Sequence, residues 1–126
     1  MNTLLVAIGG AIGAAGRYLV GGWVQSFAGL GFPLGTFFVN ATGSLVIGFI
    51  LGMSERGALS SEARLLLAVG VMGGYTTFSS FSYDNFGLLQ SGEIARLLIN
   101  MIGQLAIGLF AAYLGVVAAR ALGGYS

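Results

Sequence analysis

Phe78 and Phe81 stand three residues apart beside Ser79, Ser80 and Ser82. A helix through this stretch puts both rings on one face, next to hydroxyl groups. An aromatic ring is negative over its faces and positive at its edge. Two such edges with hydroxyl donors can hold a small anion without a fixed cation to trap it, and a conduction path needs binding of that releasable kind. The same spacing equally suits two core residues. The other polar groups set in apolar sequence are Arg17, Asn40, Thr42, Ser44, Asn100 and Gln104. An Asn in hydrocarbon must be paired, so Asn40 either joins helices or faces water. Arg17 lies inside its apolar run, where it snorkels, pairs with a backbone carbonyl or draws an anion inward.

Other chemistry has little to work with. The 126 residues contain five arginines and four acids, with no His and no Cys. A thiol nucleophile, a disulfide framework, a zinc site and a haem ligand are thereby excluded. The hydroxyls near the Phe pair have no accompanying base, and the four acids are too dispersed for a metal cage, so an enzyme is not expected. A net charge of +1 without a basic cluster gives no footprint for nucleic acid.

The elements that position these groups follow from composition. Hydrophobic types make up 56% and charged types 7%, where a soluble domain carries about a quarter charged residues. A membrane-spanning helix takes roughly 20 apolar residues, so the length holds about four. The expected fold is an all-α integral membrane protein, one four-helix domain over residues 1–126. Its spans are read at about 4–24, 34–53, 62–90 and 94–120. Ser26 to Pro33 reads as a turn, because Pro33 lacks the N–H of an interior helix position. Gly57 stops the second span, and Ser61 before Glu62 suits the start of the third. Arg96 and Arg120 anchor the ends of the fourth. Gly9/Gly13, Gly48/Gly52 and Gly70/Gly74 are four apart and let helix backbones approach closely. Met1-Asn2-Thr3 offers no basic leader, and no linker or repeat beyond the helices is expected.

The third span is unusual. As one straight helix, the stretch from Glu62 to Glu93 would reach roughly 45 Å, against a hydrocarbon core of about 30 Å. Its middle, Gly73-Gly74-Tyr75-Thr76-Thr77-Phe78-Ser79-Ser80-Phe81-Ser82, is a poor helix interior. The expectation is a broken helix, unwound between Gly73 and about Phe78. Such backbone survives at membrane depth only when buried in protein or lining a wet cavity. Orientation is left open: Arg56, Arg64 and Arg120 fall on one side, Arg96 on the other, joined by Arg17 if it leans that way. So even a split gives the positive-inside rule little to act on and permits an antiparallel homodimer.

The 73–82 run, with Gly35-Thr36-Phe37-Phe38-Val39-Asn40 upstream and Gly9-Gly10 through Gly16-Arg17-Tyr18, resembles the Fluc/CrcB family of fluoride channels across essentially the whole chain. The resemblance implies a dual-topology homodimer of four-helix subunits in the cell (plasma or inner) membrane, with a broken third helix and two pores. These would passively export fluoride that enters as its neutral acid and ionises inside. It implies that Phe78 and Phe81 line the fluoride path with their ring edges. Thr77, Ser79, Ser80, Ser82 and Asn40 would accompany them, and Arg17 would stand at the entrance. It also implies a structural sodium ion, Na+, held by the backbone carbonyls of Gly73 and Thr76 from both subunits. Relatives often place Ser or Thr along the fourth helix where this chain has Gln104 and Gly108. Gln104 still offers an amide donor. Asp84 stands where the family commonly has an acid, more often Glu. The competing expectations are a small dual-topology proton-coupled multidrug antiporter, which would need a carboxylate in the first helix, and a non-conducting structural subunit.

Overall fold

The computed structural model describes residues 1–29 and 31–123; Leu30, which falls in the expected turn, and residues 124–126 lie outside them. Every regular element among the described residues is helical. Helix α1 is Asn2–Ala28 and α2 is Leu34–Glu55. Helix α3 covers 61–75: an α-helical turn at Ser61–Arg64, a π-helix over Leu65–Met72 and a last α-helical turn at Gly73–Tyr75. Helix α4 is Phe78–Gln90 and α5 is Ile94–Leu122. Four stretches among the described residues are long and apolar enough to cross a membrane, with 61–90 counted as one.

Three local expectations need correction. The turn after α1 is shorter than 26–33, because the helix runs on to Ala28. Gln25 makes this possible. Its amide donates to the Gly29 and Phe32 carbonyls at 2.7 and 2.8 Å and accepts from the Gly35 N–H at 2.9 Å, so one side chain replaces several turn residues. Gly29 takes φ 71°, which a residue with a Cβ rarely adopts. The cap of α3 is Ser60 rather than Ser61: its side chain accepts from the Ala63 N–H at 3.1 Å, while Ser61 turns its hydroxyl to Glu62. The backbone also does not unwind from Gly73. Gly73–Tyr75 stays helical, closed by the Thr76 N–H and the Thr76 hydroxyl, which both donate to the Met72 carbonyl. Extended backbone is confined to Thr76 and Thr77.

Of the two glycines that suggested unwinding, Gly74 serves close approach, while Gly73 is exposed with no other helix against it. A Cβ at Gly74 would stand 2.6 Å from the Gly10 carbonyl oxygen, and one at Gly70 would stand 2.9 Å from the Gly9 Cα. Gly9 and Gly13 face the π-helical stretch in the same way, with Gly13 directly against the Val71 carbonyl. Thus α1 and α3 meet backbone to backbone, as the Gly9/Gly13 and Gly70/Gly74 spacing predicts. On the other side, Gly48 rests on the Ala112 carbonyl, and a Cβ at Gly52 would stand 2.7 Å from Ala119 Cβ, which seats α2 on α5. Val39, Ile50, Ala68, Met72 and Ala119 form the buried apolar interior, whereas Leu19, Ile102, Leu105, Leu109 and Phe110 point outward. Glycines at the helix seams and many large apolar side chains on the outside suit helices bathed in lipid, where packing rather than water drives association.

Candidate functional site

The interruption at Thr76 and Thr77 is held from three directions. Thr77 is the N-cap of α4, its hydroxyl accepting from the Ser80 N–H at 3.1 Å. Asn40, from the second turn of α2, clamps the Thr77 backbone: the Thr77 N–H donates to Asn40 Oδ1 at 2.9 Å, and Asn40 Nδ2 donates to the Thr77 carbonyl at 3.1 Å. Arg17, from α1, donates its Nε–H to the Gly74 carbonyl at 3.2 Å. The Arg and Asn that sequence places in separate helices therefore converge on one short piece of backbone.

This arrangement redirects the donors of a continued helix. The Thr77 N–H would otherwise close on the Gly73 carbonyl, and the Ser80 N–H on the Thr76 carbonyl. Asn40 takes the first and the Thr77 hydroxyl takes the second. The break leaves the carbonyls of Gly73, Gly74, Tyr75 and Thr76 without the helical donors of a continued helix; Gly74 accepts from Arg17 instead, and Gly73 and Thr76 are among those released. The start of α4 adds the partial positive end of its dipole at the same place.

A cavity of about 290 Å³ opens beside this knot, lined by Asn40, Ser44, Thr76, Thr77, Phe78, Phe81 and Gln104 among others. The Phe78 and Phe81 ring centroids are 5.8 Å apart at 46°. Phe78 is 77% exposed and Phe81 is half-buried. A second cavity of about 280 Å³ is lined by Arg17, Tyr18, Gln25, Thr36, Thr77 and Ser80, so Thr77 borders both. Of the remaining candidates, Ser79 is exposed with its hydroxyl 3.3 Å from that of Thr77, and Ser82 is exposed and lines neither cavity. Gly73 is exposed and Thr76 half-buried. Asp84 sits apart, in a third cavity of about 510 Å³ with Gln25, Glu93 and Arg96. Position 108 faces Ser44: a Cβ there would stand 3.5 Å from the Ser44 hydroxyl.

Two residues carry more of the site than their sequence context suggests. Asn40 Nδ2 also donates to Gln104 Oε1 at 2.8 Å, Gln104 Nε2 donates to Asn100 Oδ1 at 2.9 Å, and Asn100 Nδ2 donates to Asn85 Oδ1 at 2.7 Å. Asn100 has no exposed surface and Gln104 retains 9%. The signal for Asn100 was its spacing, four residues before Gln104 on one helix face. Asn85 gave none by itself; it follows Phe78 and Phe81 on the same face of α4, and only the fold shows what it meets. Asn40 both joins helices and lines a cavity, the two roles open to it from sequence.

A multi-pass membrane protein is defined by these features: four apolar spans around a polar, aromatic-edged cavity, within a 7%-charged chain. The family model described as CrcB-like protein, Camphor Resistance (CrcB), matches residues 4–116, and the chain belongs to that family. It is 57% identical over 112 residues to a Thermus thermophilus protein named fluoride-specific ion channel FluC, covering 89% of this chain and 88% of that one. A Methanosarcina acetivorans protein named fluoride-specific ion channel FluC 1 is 44% identical over 123 residues, covering 97% and 93%. An Aquifex aeolicus protein named fluoride-specific ion channel FluC is 42% identical over 118 residues, covering 93% and 95%.

Proposed function

We propose that this chain is a passive, fluoride-selective channel of the cell membrane that lets cytoplasmic fluoride out. The observation that carries the reading is the likeness to proteins named fluoride-specific ion channels over about nine-tenths of the chain, joined to a cavity where Phe78 and Phe81 stand with Asn40, Thr77 and Gln104. Fluoride is small and strongly hydrated, so its path must replace water with many weak donors rather than one strong cation. Ring edges, hydroxyls of Thr77, Ser79, Ser80 and Ser82, and side-chain amides are donors of that kind. Arg17, in the second cavity, supplies positive charge at the entrance while one of its nitrogens stays on the Gly74 carbonyl. An inside-negative potential provides roughly 2.3 kcal/mol per charge per 100 mV to drive an anion outward, so no coupled proton is required.

The working unit in this reading is an antiparallel homodimer with two pores, in which 61–90 crosses the membrane as an interrupted span. Charge supports the free orientation, since the arginines divide almost evenly between the two sides. A sodium ion fits the released carbonyls of Gly73 and Thr76: they are hard oxygen donors that have lost their helical partners, and Gly73 is exposed toward whatever covers it. The Gly73 and Thr76 carbonyls would hold such an ion, and its charge would offset their dipoles as a structural rather than a transported ion.

Phe81→Ile removes one ring edge and keeps the volume apolar. Liposomes carrying this variant should lose fluoride efflux at a fluoride electrode; efflux equal to that of the unaltered protein would sink the aromatic path. The chain has no Cys, so single introduced cysteines report subunit orientation cleanly. Crosslinks that trap only parallel pairs would contradict the antiparallel dimer.

A further inference from the structure

The amides of Asn40, Gln104, Asn100 and Asn85 run head to tail from the interruption at Thr77 to the body of α4. Their direction is fixed at one end by main chain. The Thr77 N–H can only donate and its carbonyl can only accept, so Asn40 has one way to sit, Oδ1 on the former and Nδ2 on the latter. Asn40 Nδ2 then obliges Gln104 to turn its oxygen toward it, Gln104 Nε2 obliges Asn100 to do the same, and Asn100 Nδ2 ends on the Asn85 oxygen. Turning any one amide over would set donor against donor or oxygen against oxygen. Only one orientation satisfies every link.

Counting hydrogens along this chain separates the two amides at the cavity. A primary amide has two N–H groups. Asn40 has given both, one to the Thr77 carbonyl and one to Gln104. Gln104 has given one, to Asn100, and among the described residues the other has no acceptor. Gln104 lines the same cavity as Phe78 and Phe81.

We infer that Gln104, not Asn40, is the side-chain amide that donates to the permeating fluoride in this chain, and that Asn100 and Asn85 are positioning residues that hold its carboxamide in the donating orientation. Asn40 then acts as the anchor that transmits the backbone geometry at Thr77 into the chain of amides. The inference rests on the fluoride-channel reading, and its test is arranged to fail separately from it.

Asn85 serves only as an acceptor in this chain, so Asn85→Asp keeps the link and Asn85→Leu destroys it. In liposomes of the full-length protein, Asn100→Leu and Asn85→Leu should slow fluoride efflux about tenfold, the size expected for one buried amide left unpaired, while Asn85→Asp stays within about twofold of the unaltered protein. A role in packing alone would order them the other way, with Leu tolerated better than a carboxylate in apolar surroundings. Equal flux in the two Asn85 variants, or full flux in Asn100→Leu, overturns the inference. A second readout is the side-chain amide ¹⁵N–¹H signals. Added sodium fluoride should shift one N–H of Gln104 and neither of Asn40, and the reverse pattern overturns the assignment. Unaltered protein that passes no fluoride removes the channel reading and with it the donor role. The relay is judged without fluoride: Asn100→Leu should move the Asn40 amide signals, and unmoved signals refute it.

Discussion

The two halves of the 61–90 stretch are fastened in opposite ways. Residues 61–75 are pressed onto α1 through glycine, with Gly9, Gly13, Gly70 and Gly74 bringing backbone against backbone. Residues 78–90 have no such seam; Gly87 has open space where its Cβ would be. They are held by polar links instead: the Thr77 cap, the Asn40 clamp and the Asn85–Asn100 bond to α5. Glycine packing is dry and leaves nothing for an ion to meet. Hydrogen-bonded packing leaves donors and acceptors at the surface of a cavity, and the cavity lies on that half. Support and polar surface are thus divided within one span, at Thr76 and Thr77.

The largest effect should come from attacking the glycine seam. Gly13→Leu forces a side chain into the Val71 carbonyl and should cost about 3 kcal/mol or more, enough to lose monodisperse protein in detergent. Gly87→Leu, on the other half, should express and melt like the unaltered protein; equal damage from both would erase the contrast. Next in size is Asn40→Leu, which strands the Thr77 N–H, the Thr77 carbonyl and the Gln104 oxygen, at about 1–3 kcal/mol for a buried unpaired group. It should reduce fluoride flux more than it lowers the melting temperature, and the opposite order would mean that Asn40 is support alone. Thr77→Val removes the cap on Ser80 and should lower stability by about 1 kcal/mol, with Thr77→Ser restoring it. The smallest effect belongs to Glu55→Gln. The Glu55–Arg120 pair is 3.9 Å apart and mostly exposed, so its loss should change stability by less than about 0.5 kcal/mol.

Much of the fold could be read from composition and spacing, and some of it could not, for identifiable reasons. Apolar runs broken at Pro33, at Gly57 and before Ile94 mark four spans, because lipid leaves few other solutions. The four-residue glycine spacings announce their seams. Yet Gly73 and Gly74 look alike in sequence whether they unwind a helix or let another approach it; here Gly74 lets α1 approach, Gly73 does neither, and the interruption falls on the two threonines after them. At the site, Asn40, Thr77, Phe78, Phe81 and Gln104 could be placed together from motif and resemblance. Asn85 could not, since its partner lies across on α5 and no spacing within α4 encodes that meeting. Nor could sequence tell which amide at the cavity keeps a free N–H, because the answer depends on every link back to the Thr77 backbone.

In the proposed channel, the cavity edged by Phe78 and Phe81 on the hydrogen-bonded half is the conducting path. Anion efflux from liposomes containing only this protein, read with fluoride and chloride electrodes in parallel under an imposed potential, tests this most directly. Fast fluoride efflux with negligible chloride efflux is the expected result. No fluoride efflux, or chloride moving as fast as fluoride, would contradict it.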